Sequence, residues 1–194
     1  MGNPIVPFTE RKDWKITFMR KINIRHILEV VIISVMLLVP VSCNAQVIHN
    51  APDQSSFKTF MSYKAIKNRA SKQYELQQDC MTSPEGLRVY NGYYTVALGT
   101  GFNAEVGDYV DVELSSGNTL HCVVGDIKQD CHTDKTNKQV EQNGNVVEFI
   151  VDTKKLDPYV KRTGNISNVS EQFQGDVENI VVYEEEDEKP LENQ

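Results

Sequence analysis

Between Gly86 and about Asp157 the chain runs in short apolar segments separated by glycine and asparagine. "YYTVALG", "DYVDVEL", "TLHCVVGD" and "NVVEFIVD" are rich in Val, Ile, Tyr and Phe, the composition that favours strands. "SSGN" divides the second from the third, and "NGN" precedes the last; glycine supplies the positive φ that such turns use. Strands this short and this evenly spaced predict a mainly β domain over 86–157, a small closed barrel rather than a parallel sheet wrapped in helices. Upstream the period changes. Over 54–79 there is no proline or glycine, and Phe57, Phe60, Met61, Tyr63, Ala65, Ile66, Ala70, Tyr74 and Leu76 recur mostly in steps of three and four. That spacing predicts an amphipathic helix, with Asp53 as its N-cap. Lys58, Lys64, Lys67, Arg69 and Lys72 fall on its polar face. A solvated face and a surface for anionic polymer or lipid headgroups are both readings of that pattern.

The ends differ from this body. Residues 1–26 are basic. Residues 27–46 hold "ILEVVIISVMLLVPVSCNAQ", whose apolar heart from Val30 to Val41 is shorter than the roughly 18–20 residues of a clean membrane span. A basic flank, an apolar core and small residues in "CNA" make a signal peptide or a signal-anchor helix. Cleavage after Ala45, retention as an anchor, and lipidation at Cys43 remain three outcomes, and each puts the rest of the chain outside the cytoplasm. Residues 158–183 form a polar extension in which "NIVVYEEE" has the composition of one edge strand. Residues 184–194 are an acidic tail whose like charges predict disorder.

Charge and cysteines narrow the classes. The 194 residues carry a formal net charge of −7, and no basic stripe is interleaved with aromatics, so nucleic acid is not an expected partner. No glycine-rich phosphate loop and no Gly-x-Ser-x-Gly elbow is present, and no cofactor is expected. Beyond Cys43 stand Cys80, Cys122 and Cys131, an odd set in a compartment that permits disulfides. One bridge and one free thiol is the simplest count; Cys80–Cys131, Cys122–Cys131 and three reduced thiols all remain open. No paired Cys/His spacing marks a metal site.

The chemistry-bearing stretch is "VVGDIKQDCHTDKTN", Val123 to Asn137. Asp126 falls at the end of the third strand. Glu148 falls inside the last, where period two puts it on a face with Val146 and Ile150. An acid among apolar neighbours is buried with a partner or points into a cleft. Two carboxyl groups from separate strands are the minimum kit for breaking a glycosidic bond, one as acid and one as base or charge stabiliser. Lys128, His132 and Asp134 would supply substrate contacts. The plain alternative is a turn aspartate capping local N–H groups beside a solvated histidine.

"VALGTGFNAEVGDYVDVEL", "GNTLHCVVGDIKQD" and "GNVVEFIVD" together resemble the double-psi β-barrel of bacterial cell-wall proteins, in particular the 3D domain named for its three aspartates. With its N-terminal segment the chain is similar to exported or membrane-anchored proteins of Gram-positive bacteria. The resemblance covers about Tyr90 to Thr153. It implies a six-stranded double-psi-like barrel, with Asp126 as the central aspartate. The family's first aspartate falls on Leu98 and its third on Glu148. Some members of the group are lytic transglycosylases, which cleave the glycan strands of peptidoglycan with an aspartate as acid and base. The resemblance therefore implies an extracytoplasmic protein that cleaves such strands through Asp126 and Glu148, with peptidoglycan or another wall polymer as its partner. The alternative is a non-catalytic surface barrel that binds a wall polymer or a protein. An uncleaved N-terminal segment would add the membrane.

Overall fold

The computed structural model describes residues 46–52 and 56–183. They belong to the second of the chain's two compact units, Asn44–Gln194. The basic N-terminal region, nearly all of the 27–46 segment, the expected cap Asp53 and the acidic tail lie outside the described residues, and no described helix is long and apolar enough to cross a membrane.

The fold is mainly β, a mixed sheet of nine strands. In chain order they are β1 (Gln46–Asn50), β2 (Thr59–Ser62), β3 (Met81–Thr82), β4 (Arg88–Tyr90), β5 (Tyr93–Leu98), β6 (Tyr109–Leu114), β7 (Thr119–Ile127), β8 (Glu148–Val151) and β9 (Val177–Tyr183). Among the described residues two α-helices accompany them, α1 (Lys72–Asp79) and α2 (Pro158–Thr163). Neighbours follow the order β1-β9-β6-β7-β5-β4-β3, with β8 joining β5 and β2 joining β8. Two pairings are parallel, β5 with β7 and β2 with β8; the others are antiparallel.

β5 organises the sheet. One edge runs along β7, while the other is shared between β4 at its start and β8 at its end. A strand enclosed in this way reads as a near-continuous apolar run, and all of "YYTVAL" but Tyr94 is buried. The β6–β7 hairpin turns at Gly117 (φ +85°), as "SSGN" predicts.

Successive side chains alternate between two faces. Tyr94, Val96 and Leu98 of β5 join Cys122, Val124 and Ile127 of β7 and Phe149 and Val151 of β8 in the main core. The opposite face of β5 and β7 carries a smaller core of Tyr93, Tyr109 and Val123, covered by Leu76 and Cys80 from the α1 segment. α1 begins at Ser71, whose hydroxyl accepts the Tyr74 N–H at 3.2 Å.

Four expectations are corrected. The helix predicted over 54–79 is confined to α1; Thr59–Ser62 is strand instead, because β8 offers that segment a full parallel ladder. Lys58 is not on a solvated face but 0% exposed, its Nζ donating to the Gly175 carbonyl at 2.6 Å and the Ser56 carbonyl at 3.3 Å. Residues 158–183 are no appendix, and β9 is no edge strand: it lies between β1 and β6 and supplies Val177, Ile180 and Val182 to the main core. The sheet thus extends well past 86–157 on both sides. Finally, Cys80, Cys122 and Cys131 are all free. Cys122 is in the main core and Cys80 in the smaller one across the sheet, while Cys131 is exposed on a turn, so the packing holds the three thiols apart.

Candidate functional site

The site is built by a bulge. From Leu120 to Val124 every second residue of β7 faces the main core. Simple alternation would send Asp126 there too. The β5–β7 register shifts instead between Val96 and Ala97: Val96 pairs with Val124, but Ala97 pairs with Asp126. Gly125 is the extra residue, and one extra residue turns everything after it to the other face. Ile127 then packs into the main core, and Asp126 moves to the face that α1 covers. A side chain here would displace its neighbours. A Cβ on Gly125 would lie 2.7 Å from Ile150 Cδ1, 3.2 Å from Gln77 Nε2 and 3.3 Å from Thr95 Cβ.

Ala97 also pairs with Glu148 of β8, and Glu148 in turn pairs with Thr59 of β2. Thr59, Glu148, Ala97 and Asp126 therefore form one rung across four strands. Residues opposite one another on a sheet share a face. Two strand spacings, roughly 10 Å, separate the backbones of the two acids. Both carboxyl groups are half-buried, whereas Ala97 between them is 1% exposed.

The surroundings treat the two acids differently. Burial raises the Asp126 carboxyl above the usual carboxylate range, opposed by the Ile127 N–H donating at 2.9 Å and the Gln73 amide at 3.5 Å. Burial also raises Glu148. The nearby Lys128 ammonium and a hydrogen bond from the Thr59 hydroxyl oppose that rise, while the negative charge of Asp126 adds to it. Lys128 is itself buried. Its Nζ donates to the Val146 carbonyl at 2.7 Å and the Asn145 carbonyl at 3.2 Å, and burial lowers its pKa to about 8 in spite of Glu148. The two differ in charge: a cation opposes the rise at Glu148, whereas only uncharged donors oppose it at Asp126.

Asp126, Glu148 and Lys128 are thus brought together. His132 and Asp134 are not among the hydrogen-bond or charge partners of the two acids. His132 is exposed at the end of the 3₁₀ turn Asp130–His132. Asp134 organises its own loop: it accepts from the Thr136 hydroxyl at 2.6 Å and from the N–H groups of Lys138 at 3.0 Å and Gln139 at 3.2 Å, which hold its carboxyl below the usual range. Among the described residues no cluster of His, Cys, Asp and Glu has the arrangement of a metal site.

Thr59, Gln73 and Gln77 are the participants that sequence reasoning missed. They lie in the segment predicted as one long helix, at least 48 positions before Gly125. The bulging "VVGDI" with its lone glycine is the one local signal of the site, since an isolated glycine inside a strand marks a bulge or a close approach.

No protein-family model, no curated protein and no solved structure matches this chain.

Proposed function

We propose that this is an extracytoplasmic, cell-wall-associated protein that cleaves glycan strands by acid/base chemistry at Asp126 and Glu148. The reading rests on one observation: both acids are register partners of the same residue, Ala97, and share a half-buried face with Lys128. A double-psi-like closure of the barrel, with β5∥β7 and β2∥β8 as its parallel pairs, belongs to the same proposal.

In this mechanism Asp126, whose burial favours the protonated form, donates a proton to the departing glycosidic oxygen. Glu148, with the Lys128 ammonium nearby, stabilises the positive charge that develops at the sugar carbon. A hydroxyl of the same sugar then closes onto that carbon and returns its proton to Asp126, leaving an anhydro product. The N-terminal segment directs or anchors the protein outside the cytoplasm.

One observation favours a second reading, a surface module that binds a wall polymer without cleaving it. Ala97 is 1% exposed, so side chains close over the strand between the acids. Incubation of the full-length chain with purified peptidoglycan, beside Asp126→Asn and Glu148→Gln variants, separates the two. Anhydro-muropeptides from the parent, falling by about 10²–10⁴ in either variant, support the cleavage mechanism. No soluble product from a folded parent overturns it in favour of the binding module.

A further inference from the structure

A cleft of about 470 Å³ lies between the 63–69 segment and α1, the helix whose Gln73 reaches Asp126. Lys64, Lys67 and Arg69 line it with the rings of Tyr63 and Tyr74 and the amide of Gln77. No acid lines it, although the chain carries a net charge of −7. The three cations are exposed, and among the described residues none has a carboxylate within ion-pair reach.

The back of the cleft is rigid. Arg88, 8% exposed, donates through Nε to Gln77 Oε1 at 3.1 Å and through Nη1 to Thr82 Oγ1 at 2.8 Å, while its guanidinium lies 4.5 Å from the centre of the Tyr63 ring. One buried cation thus fixes both the amide and the ring. Gln77 is 2% exposed; its Nε2 lies against Gly125 of β7 and has no acceptor among the described residues. The same helix leads to the acids: Gln73, one turn before Gln77, donates to Asp126.

We propose that this cleft binds an acidic glycan, a sugar chain bearing carboxylates, and presents it to Asp126 and Glu148. The cations would meet the carboxylates and the tyrosine rings the sugar faces. A flat membrane surface does not suit so concave a site. The inference rests on the cleavage reading above only for the direction in which the strand runs.

The test is calorimetric binding to the full-length chain, in parent form and as a combined Lys64→Gln, Lys67→Gln, Arg69→Gln variant. The probes are hexagalacturonate, neutral chitohexaose and inorganic polyphosphate. Hexagalacturonate should bind the parent, lose about tenfold in the combined variant, and weaken as salt is raised. No binding of hexagalacturonate, equal binding of the neutral sugar, or equal or tighter binding of polyphosphate overturns the proposal. Binding by a protein that releases no product refutes cleavage alone; cleavage by the combined variant at the parent's rate refutes the cleft alone.

Discussion

Asp126 and Glu148 are both register partners of Ala97, one on each side of β5, so their side chains rise from a single face of the sheet. Neither acid is near the other in sequence, and each comes from a strand with its own reason to be buried. The shared face is what lets the charge of one raise the proton affinity of the other.

Asp126→Asn should cost no stability at about pH 7, and it should raise the melting temperature slightly. The folded chain holds the Asp126 proton more tightly than the unfolded chain does, because burial raises its carboxyl. Stability from this group is therefore gained as pH falls through the folded value toward the ordinary 3.8, and is lost above it. The variant's advantage should shrink as the pH is taken from about 7 to about 4, read by paired thermal melts. A large loss at neutral pH would show that the carboxylate is a structural anchor.

Gly125→Ala should destabilise the fold by about 1 kcal/mol, since the added methyl must displace the ends of two flexible side chains and crowds the Thr95 Cβ. The neighbours are Ile150, Gln77 and Thr95, and Asp126 is the next residue along. Urea denaturation measures the loss, and any glycan cleavage should fall with it. Unchanged stability would mean that the bulge relaxes freely.

Lys58→Met should cost about 1–3 kcal/mol near pH 7, because two backbone carbonyls lose their donor. The deficit should widen with pH. Burial lowers the Lys58 pKa from 10.5 to about 8, opposed by Asp176. Between those values the unfolded chain binds more protons, so the parent gains stability as the pH rises and the methionine variant has no such gain. Cys80, pushed up to about 11 by burial, titrates in the opposite sense but is common to both proteins. Thermal melts at about pH 7 and about pH 9.5 give the comparison, and a deficit that narrows would contradict it.

Iodoacetamide should modify Cys131 in the folded protein and leave Cys80 and Cys122 unmodified until denaturant is added. Cys80 and Cys122 are buried and their thiols are held above the usual range, Cys122 by complete burial; Cys131 is exposed. Peptide mass spectrometry assigns the sites, and a reducing agent should leave the melting temperature unchanged. A mass two hydrogens short of the free thiols would instead restore a disulfide.

The strands of the centre were legible locally. "YYTVAL", "YVDVEL" and "TLHCVVGDI" are rich in strand-forming residues and end near turn residues, and the sheet uses them at nearly those boundaries. The pattern around Glu148 also showed an acid sharing a face with Ile150 and opposed to Phe149, which is how β8 is buried. "TFMS" was not legible. Its apolar steps fit a helix, but its ladder partner is β8, 89 positions along the chain, and strand preference follows partners more than local composition.

The amino-acid sequence alone therefore determined a β domain, its central turns and the presence of two candidate acids. Only the tertiary structure decided that they meet. Alternation counted along β7 turns Asp126 toward the main core; the register against β5 inserts Gly125 as a bulge and turns it outward. That choice belongs to neither strand by itself, because it follows from how Ile150, Thr95 and Gln77 pack against the one residue that has no side chain.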